Sequence, residues 1–600
     1  MAGTLIDLFT NAVAQFPRPD LFLRKTSSGW EEISSARALA DVEALGLALR
    51  ELGVQPGDRV AILSENRYEW PVSDMAIHGQ GAITVPIYAT LIAEQIRFML
   101  ENAEAKVVIV SNATQREKVR AIAPASMRTL VHMDPIPVRE DSDHSFADLL
   151  ARGAALRDAS PNAFRELAER VKPSDVATII YTSGTTGEPK GAMLTHSNIV
   201  SNCESCWERV AFLPGERALS FLPLCHIFER MAGLYAMIGK GVGIAYAESI
   251  ETVAANAVEV RPNILTGVPR FYEKVYARVM ENAGKQPPLR RAIFHWGLAQ
   301  GLAAARAHFA RKPLTGWAAL KARIADGLVG KKVRERVGGR LRFCISGGAP
   351  LAPKVMEFFF AVGIPVLEGY GLTETSPVIC LNLPGKEKPG SVGPPVHGVE
   401  LRIAENGEIL TKSASVMKGY YRNDAATAQA ITDGWFHTGD VGRLDEEGAL
   451  FITDRLKDLL VTAGGKKVAP QPLEASLKTS KFVSEAVLIG DRLPYVVALI
   501  VPNFANLEVE AKARGWAYTA PRELEANPEV RTLFQSEIDR VNEGLSRFEQ
   551  IKKFALLDRE LTQESGELTP TLKVRRRVIG ERFSNVIRNL YPATPAEPAA

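Results

Sequence analysis

The chain has 600 residues, of which 46% are hydrophobic and 24% charged, and its formal net charge is +3. This length exceeds what one hydrophobic core normally serves, so we predict a globular protein with at least two domains. So small a net charge excludes recruitment of nucleic acid by the overall field, and we predict no nucleic-acid partner.

The sequence shows no pattern of a targeting or membrane-spanning segment. Residues 1–7 do not place a basic region before an apolar one, which argues against a secretory signal. The longest uncharged apolar stretch, residues 75–93, contains Gly79, Gly81 and Pro86, and we interpret it as buried strand and turn. We therefore expect a cytoplasmic protein without a transmembrane helix.

Short apolar runs alternate with helical patterns along the first part of the chain. A helix is predicted over residues 36–52, and the runs predicted as strands are 60–63, 82–87, 107–110, 176–181, 218–222 and 341–345. Strands separated by helices are typical of parallel βαβ units. We predict an α/β fold, with a large N-terminal domain of layered, largely parallel sheets and helices and a smaller, mobile α+β C-terminal domain.

A loop rich in glycine and hydroxyl groups follows the predicted strand 176–181. Residues 181–191 read Tyr-Thr-Ser-Gly-Thr-Thr-Gly-Glu-Pro-Lys-Gly. The backbone N–H groups of such a loop can surround a polyanion, so we predict that it binds nucleotide phosphates. Pro189 comes between Gly187 and Lys190, which departs from the standard P-loop pattern and disfavours an ordinary P-loop NTPase.

The segment 284–342 is strongly basic. It holds fourteen Lys and Arg residues against Asp326 and Glu335, and the apolar residues of 292–309 recur at helical spacing. Two interpretations stay open: a solvated helix pair that covers the core, or a surface attracted to acidic lipid headgroups or to an anionic ligand.

Two more segments are candidate ligand loops. Residues 346–350 (Ser-Gly-Gly-Ala-Pro) come directly after 341–345, where ligand loops of α/β sheets lie. Residues 368–375 (Glu-Gly-Tyr-Gly-Leu-Thr-Glu-Thr) combine an aromatic ring, glycines and a carboxylate. A ring can stack on a base, and a carboxylate can hold Mg²⁺ that faces phosphates.

The distribution of charged and apolar residues changes after about Thr453. Residues 454–458 are densely charged between two apolar regions, which suits a hinge. The predicted organisation is a large N-terminal domain over 1–453, a hinge over 454–458, a small C-terminal domain over 459–591 with strands at 486–489 and 495–501, and a flexible tail over 592–600.

Taken together, these motifs resemble those of the acyl-adenylate-forming superfamily, which includes acyl-CoA synthetases, peptide-synthetase adenylation domains and luciferases. Residues 181–191 resemble its AMP-binding signature, and further motifs follow in the same order at 346–350, 368–375, 435–440 and around Lys573. The resemblance implies a nucleotide site that takes ATP and Mg²⁺. The implied nucleotide-binding residues are Thr182, Ser183, Gly184, Thr185, Thr186, Gly187, Lys190, Gly347, Gly348, Ala349, Glu368, Gly369, Tyr370, Gly371, Thr373, Asp440 and Arg455.

The resemblance also implies individual roles within that site. Tyr370 would lie against the adenine, and Asp440 would accept hydrogen bonds from the ribose hydroxyls, with Arg455 reaching the same sugar. Thr185 and Glu374 are the implied Mg²⁺ ligands.

Three residues form the implied catalytic set: Lys573, His226 and Thr373, of which Thr373 would lie near the α-phosphate. A substrate carboxylate must attack an anionic phosphate, and a cation such as Lys573 reduces that repulsion. A single histidine is more often a structural residue, but 222–230 resembles the segment beside the substrate carboxylate, so His226 is predicted to position it. Lys457 matches the pivot of the hinge.

The substrate follows from the same resemblance. Residues 222–230, 368–377 and 462–472 and the basic segment are most similar to long-chain fatty acyl-CoA synthetases, and the segment from Cys225 to Arg230 lacks the aspartate usual in amino-acid-activating domains. This implies a fatty acid, ATP and coenzyme A as substrates, with acyl-AMP as the intermediate.

Several alternatives stay open from the sequence. They are an acyl-AMP ligase that loads an acyl carrier protein, an aryl-acid ligase, a luciferase-like oxygenase and a non-enzymatic lipid-binding relative. A homodimer and a peripheral position at the inner face of a membrane, through residues 284–342, are further expectations.

Overall fold

The computed structural model describes residues 3–137, 142–182, 189–516, 518, 523–524, 527–562, 565–568 and 574–591. The strands, numbered in chain order, are β1 (Phe22–Thr26), β2 (Gly29–Ile33), β3 (Arg59–Leu63), β4 (Ile83–Ile87), β5 (Val107–Val110), β6 (Thr129–His132), β7 (Asp143–Ser145), β8 (Val176–Thr182), β9 (Lys190–Thr195), β10 (Arg217–Ser220), β11 (Gly243–Tyr246), β12 (Ile264–Gly267), β13 (Phe343–Ser346), β14 (Val366–Gly371), β15 (Val378–Leu381), β16 (Glu400–Ile403), β17 (Glu408–Lys412), β18 (Gly419–Tyr420), β19 (Ile431–Thr432), β20 (Trp435–Leu444), β21 (Leu450–Arg455), β22 (Leu460–Val461), β23 (Lys467–Val468), β24 (Val483–Ile489), β25 (Val496–Pro502) and β26 (Ile551–Leu556).

The helices surround these strands. They are α1 (Leu5–Gln15), α2 (Ser35–Glu51), α3 (Glu69–Gly79), α4 (Ala93–Ala103), α5 (Ala113–Ile122), α6 (Phe146–Ala159), α7 (Ala163–Ala168), α8 (His196–Arg209), α9 (Ala236–Ile238), α10 (Val253–Val260), α11 (Pro269–Gly284), α12 (Pro288–Phe309), α13 (Gly316–Ala325), α14 (Lys331–Glu335), α15 (Pro353–Ala361), α16 (Asp424–Ala430), α17 (Pro470–Leu477), α18 (Phe504–Arg514), α19 (Pro528–Asn542), α20 (Arg576–Arg582) and α21 (Ser584–Asn589), with π-helical turns at Glu229–Tyr235 and Asp326–Gly330 and a 3-10 turn at Thr373–Thr375.

Two eight-stranded sheets form the frame of the N-terminal part. Their strand orders are β18-β9-β8-β4-β3-β5-β6-β7 and β15-β14-β13-β12-β10-β11-β1-β2. The central pairs of both sheets are parallel, as in β3 with β4 and β5 or β10 with β11 and β12, and antiparallel pairs lie toward the edges. The predicted α/β class with layered, largely parallel sheets is therefore confirmed.

The largest hydrophobic core lies between the two sheets. It joins Ile62 of β3 and Ile180 of β8 from one sheet to Ala218 of β10 and Ile264 of β12 from the other. Side chains on successive strand residues alternate between faces, so each sheet also has an outer apolar face, which helices cover. Two buried sheets of this kind give their strand-end loops a rigid base.

One sequence prediction in this region is wrong. Residues 75–79 were expected to form strand and turn, but they complete helix α3, in which every residue from Trp70 to Gly79 is buried. A short apolar run that is buried on all sides carries no periodicity that separates helix from strand. Only 83–87 of the predicted stretch is a strand. Among the described residues, no helix is long and apolar enough to cross a membrane.

The C-terminal part has hydrophobic clusters of its own. One runs from Leu460 to Phe554 and another from Val487 to Leu590, and both consist of residues after 459. They pack around the sheet β24-β25-β26. The antiparallel sheet β16-β17-β20-β19, with β21 beside β20, ends at Arg455 next to this small region.

Candidate active site

Two of the predicted loops meet because adjacent parallel strands end together. Ser346 at the end of β13 lies in register with Glu368 of β14. Oε1 of Glu368 accepts a hydrogen bond from the backbone N of Leu351 at 2.9 Å, which ties the loop 347–351 to β14. Gly348 has φ +82°, a conformation that favours glycine, so the loop keeps its turn without a side chain. Gly347, Gly348 and Ala349 thus lie beside the strand that carries Tyr370.

The predicted adenine and ribose residues form one cluster. The hydroxyl of Tyr370 donates to Oδ2 of Asp440 at 2.7 Å, and Nε of Arg455 lies 3.2 Å from Oδ1 of the same carboxylate. Strands β20 and β21 place Asp440 and Arg455 opposite each other. Burial, with the nearby charge of Asp440, raises the pKa of Tyr370 well above its usual value. Tyr370 therefore stays a neutral donor.

A second cluster brings the implied metal ligand to the phosphate loop. Tyr420 donates to Oε1 of Glu374 at 2.9 Å, and Nζ of Lys190 lies 5.2 Å from the centre of the Tyr420 ring. Burial raises the pKa of Glu374, while Tyr420 and Arg455 act to lower it. Tyr420 was not predicted: it lies in a two-residue strand, β18, that pairs with β9, and nothing local marks it.

The residues present fit a magnesium ion. Glu374 offers buried carboxylate oxygens, the hard ligand that Mg²⁺ prefers. Within the described ranges, no group of three or more His, Cys, Asp or Glu side chains gathers as a protein-only metal site. Mg²⁺ in proteins is commonly held by one or two carboxylates together with substrate phosphates and water. The site suits that mode of binding.

The phosphate loop lies at the end of a hairpin. Its residues Ser183, Gly184, Thr185, Thr186 and Gly187 lie outside the described residues. Its flanks are described: Thr182 of β8 pairs with Lys190 of β9, and Oγ1 of Thr182 is 3.4 Å from the Lys190 carbonyl oxygen. A P-loop leads from a strand into a helix, whereas Lys190 begins a strand. The structure thus agrees with the expectation that this is not an ordinary P-loop.

His226 lies in a loop that contacts the loop 347–349. Nδ1 of His226 accepts a hydrogen bond from the backbone N of Phe228 at 3.1 Å, so in the neutral ring the proton is on Nε2. A Cβ atom on Gly347 would come within 2.9 Å of the Phe228 ring. The side chain of Asn66 holds the other end of the loop, with bonds of 2.9 Å from the N of Leu224 and 2.6 Å to the O of Leu222.

The role of Asn66 could not be predicted, because this residue lies more than 150 residues before the loop that it holds. A lone asparagine after a strand is ordinary in any protein. No signal in a single sequence links it to His226.

A buried charge network anchors the segment that follows His226. Nε of Arg230 donates to Oδ2 of Asp74 at 3.0 Å, Tyr235 donates to the same oxygen at 2.5 Å, and Nη1 of Arg230 donates to Thr178 of β8 at 2.8 Å. All four side chains are buried. Burial opposes ionisation of Asp74, but Arg230 holds its pKa below the usual range. The loop's C-terminal end is therefore fixed to the opposite sheet.

Glu229, next to this network, is a buried acid. Its Oε1 accepts from the Ser220 hydroxyl at 2.6 Å. Burial raises its pKa to about 8, so it is neutral near pH 7. Ser220 ends β10, so this contact joins the π-helical turn Glu229–Tyr235 to the sheet edge below the His226 loop.

Aromatic side chains extend from this loop along the outer face of the second sheet. The Phe221 and Phe271 rings lie 4.9 Å apart, Phe271 lies 5.3 Å from Tyr272, and Tyr272 lies 5.4 Å from Phe359. All belong to or pack on one hydrophobic cluster. Phe221 directly precedes the segment 222–230, so this cluster begins beside the His226 loop.

Some of the remaining predicted residues adjoin these clusters, and others are exposed or lie outside the described residues. Thr373 begins the 3-10 turn Thr373–Thr375, beside Glu374. Lys457 is exposed in the turn after β21. Gly369 and Gly371 lie on β14, where a Cβ atom on Gly371 would come within 1.7 Å of the Pro377 carbonyl oxygen. Lys573 lies outside the described residues.

These features define a nucleotide-binding enzyme with a two-part architecture, and comparison with known proteins identifies its family. Residues 9–421 match the AMP-binding enzyme family and residues 457–595 match the AMP-binding enzyme C-terminal domain. The chain belongs to the AMP-binding enzymes.

Individual relatives resemble it over nearly their whole length. The chain is 37% identical to the long-chain-fatty-acid–CoA ligase FadD15 of Mycobacterium bovis over 95% of this chain and 94% of that protein. It is 31% identical to fatty acyl-CoA synthetase A of Dictyostelium discoideum, over 93% and 86% of the two chains. In fold it resembles the anthranilate CoA ligase AuaEII in complex with anthranoyl-AMP, with a TM-score of 0.74 at 20% identity over 98% of both chains.

Proposed function

We propose that this protein is a long-chain fatty acid:CoA ligase that uses ATP and Mg²⁺. The fatty acid carboxylate attacks the α-phosphorus of ATP, the bond to the β,γ-diphosphate breaks, and acyl-AMP and pyrophosphate form. The CoA thiol then attacks the acyl carbon, AMP leaves, and the thiol proton passes to solvent. The similarity to FadD15 over nearly the full length of both chains is the observation that carries the proposal.

The clusters around Asp440 and Glu374 support a site for ATP. The Tyr370 ring would cover the adenine, while the backbone of Gly347 to Ala349 borders the base. Asp440, which accepts a hydrogen bond from Tyr370 and forms an ion pair with Arg455, has the acceptor oxygens that two ribose hydroxyls require. The proposal places the sugar at Asp440, between a base beside Tyr370 and phosphates beside Glu374.

In this proposal, cationic groups surround the phosphates. Lys190, held near Tyr420, and the loop from Thr182 would bind the β- and γ-phosphates, with Thr373 near the α-phosphate. Glu374 and Thr185 would hold Mg²⁺, which when bound supplies positive charge against the triphosphate. In this proposal Lys573 brings the further cation that the attack of one anion on another requires.

His226 would orient the acyl carboxylate. Its Nε2 proton makes it a hydrogen-bond donor, since Nδ1 is occupied by the Phe228 N–H. A donor at this place suits a carboxylate oxygen and later the carbonyl oxygen of the adenylate. The chain beyond the carboxylate would lie along Phe221 and Phe271.

The small domain is proposed to move about residues 454–458, with Lys457 as the pivot. Exposure of Lys457 in a turn is compatible with a change of backbone angles there. Closure in one orientation would bring Lys573 to ATP and exclude water from the mixed anhydride; the other orientation would admit the thiol.

The cellular location and the oligomeric state are part of the same proposal. An enzyme that consumes ATP and CoA would work in the cytoplasm, in peripheral contact with an anionic membrane through residues 284–342. A homodimer is compatible with the proposal and is not required by it.

Half-reaction assays on Lys573→Ala test the role of this lysine. We expect adenylate formation, followed as pyrophosphate release, to fall by at least about 100-fold, because removal of a preorganised charge from such a site has this effect. Thioester formation from supplied acyl-AMP should be retained.

Arg577→Ala is the matched control, since Arg577 is a nearby basic residue with 75% of its side chain exposed. Equal loss of both half-reactions in Lys573→Ala would contradict the assigned role.

The substrate class is tested by pyrophosphate release across acids of graded length, with and without CoA. The value of kcat/KM should rise about fourfold per methylene until the site is full. Faster turnover of aromatic acids than of every fatty acid would contradict the proposed substrate.

A further inference from the structure

The basic segment carries an exposed apolar face that its charge alone did not predict. On α12, Leu289, Ile293 and Trp296 recur at helical spacing with exposed fractions of 73%, 38% and 39%. On α13 and the turn after it, the exposed large residues are Trp317, Leu320, Ile324 and Leu328, with Trp317 at 77%. Seven of the fifteen exposed large hydrophobic residues in the described chain thus fall within 289–328.

These residues are not a misplaced core, because the two helices pack through other faces. Leu298 and Ala305 of α12 are buried, and Gly301 lies so close to α15 that a Cβ atom there would come within 2.3 Å of the Ala361 carbonyl oxygen. Gly297 contacts Val329 in the same way, so α12 and the end of α13 run side by side. The large apolar residues are left on the solvent side of this pair.

Unpaired basic residues surround the apolar face. Several of the segment's cations make ion pairs, as Arg306 does with Glu357 and Arg311 with Glu447. Nine others are exposed and take part in no ion pair in the described parts of the chain: Arg290, Arg291, Lys312, Lys321, Arg323, Lys331, Lys332, Arg336 and Arg340. Exposed tryptophan and leucine among unpaired lysine and arginine is the composition of helices that lie in the interface of an anionic bilayer.

We infer that the outer faces of α12 and α13 form a membrane-docking surface that inserts Trp296, Trp317 and their apolar neighbours into the interface of an anionic phospholipid bilayer. The basic residues then contact the headgroups at the margin. A second copy of the chain is a poorer partner, because a symmetric contact would bring two such cationic surfaces together.

The packed side of α12, opposite the docking surface, borders the proposed acyl site, and to this extent the inference rests on the proposed function. Leu298, Phe294 and Leu302 of α12 belong to or pack on the hydrophobic cluster that also includes Phe271 and Tyr272. Phe271 contacts Phe221 beside the His226 loop. A docked α12 would therefore lie between the bilayer and the cluster that includes Phe271 and Tyr272.

Vesicle binding tests the inference. The full chain is sedimented with vesicles of phosphatidylcholine alone or of three parts phosphatidylcholine to one part phosphatidylserine. We expect binding to the anionic vesicles, and a loss of at least about tenfold in partition coefficient for the double variant Trp317→Ala, Leu320→Ala, whose charge is unchanged. Brominated acyl chains should quench the fluorescence of the wild-type protein on binding.

Val509→Ala is the matched control, an apolar position of the small domain with 59% exposure, and should bind as the wild type does. Variants are compared only after thermal melts agree. Absence of binding to anionic vesicles overturns the inference, as does binding that survives the apolar double variant. Loss of a wild-type dimer in the double variant, seen by sedimentation velocity, would also overturn it in favour of a second copy.

An activity assay separates this inference from the ligase proposal. Pyrophosphate release with detergent-dispersed fatty acid should be unchanged in the double variant. If the wild type activates no fatty acid in detergent, the ligase proposal fails while vesicle binding still decides the docking surface.

Discussion

Two groups of charged residues in this molecule differ in how deeply they are buried. Inside the large domain, Asp74 and Arg230 are fully buried and share several hydrogen bonds. At the boundary between the two domains, Arg270 of α11 lies 4.0 Å from Glu485 of β24, and Lys478 lies 3.1 Å from the same carboxylate. The side chains of Arg270 and Lys478 are 34% and 29% exposed.

The difference follows from desolvation. A buried pair is expensive to break, because removal of one partner leaves the other charge without water or counter-charge. A pair at the edge of water loses little when it separates, since solvent replaces the partner. Both charges of the pair that holds the fixed core are buried, whereas at the proposed moving boundary the two cations keep contact with water and only the Glu485 carboxylate, 7% exposed, is buried.

The largest effect is expected from Arg230→Ala. The substitution leaves Asp74 buried and unpaired, so the free energy of unfolding should fall by about 3–5 kcal/mol, measured by urea or thermal denaturation. Arg37→Ala is the control: Arg37 is half exposed in its ion pairs, and its loss should cost less than about 1 kcal/mol. The double variant Asp74→Leu, Arg230→Met sharpens the comparison, because removal of both charges should restore much of the free energy of unfolding that Arg230→Ala loses. A cost below 1 kcal/mol for Arg230→Ala would remove the distinction between the two groups.

The second effect concerns the pH dependence of stability. Glu229 has a pKa of about 8 in the folded protein against 4.5 as its ordinary value. Between these values the unfolded chain releases a proton that the folded chain keeps, so the group's contribution to stability is complete below pH 4.5 and is lost as the pH rises to 8. Glu229→Gln cannot ionise and should remove a part of this decline, on the order of 3 kcal/mol.

Melting temperatures between pH 5 and 8 measure this slope. Glu368, whose pKa burial also raises to about 8, should leave some of the slope in Glu229→Gln. Glu581→Gln, at a position with 67% exposure, should melt with the wild-type slope. A slope identical in wild type and Glu229→Gln would mean that Glu229 is ionised in the fold.

The smallest effect on stability, about 1 kcal/mol, is expected from Lys478→Ala at the boundary. Its consequence should be kinetic: loosened contact with Glu485 and with α11 should give the already exposed turn around Lys457 more freedom to move and speed tryptic cleavage there. Lys481→Ala serves as control, because Lys481 pairs with Glu510 inside the small domain. Equal cleavage rates in the two variants would show that the boundary charges do not hold the orientation.

The sequence predicted the elements whose local signal is strong. Residues 107–110 are a strand as expected, and the helix predicted over 36–52 is found at Ser35–Glu51, because both have clear periodicity and turn residues at their ends. The loops after β8 and β13 were also visible, since each follows an apolar run. Strand β14 was not predicted, and it includes Glu368 to Gly371 of a segment expected to be turn-prone.

What the sequence could not provide are contacts between distant segments. Arg230 and Asp74 are 156 residues apart, and Tyr420 and Glu374 are 46 apart, and no local pattern couples them. The exposed face of Trp317 was equally hidden, because an apolar residue at helical spacing predicts a buried side chain until the packing of α12 and α13 is known. The roles of Lys573 and of the hinge stay predictions.

The hairpin that carries the phosphate loop has a consequence for how anions are attracted. In α/β enzymes the positive end of a helix dipole often draws the phosphates in. Here the chain returns as strand β9 from Lys190. In the proposed ligase, side-chain ammonium groups and a divalent cation would supply that attraction instead. Such point charges are screened by dissolved salt, and capture of the triphosphate should weaken as ionic strength increases.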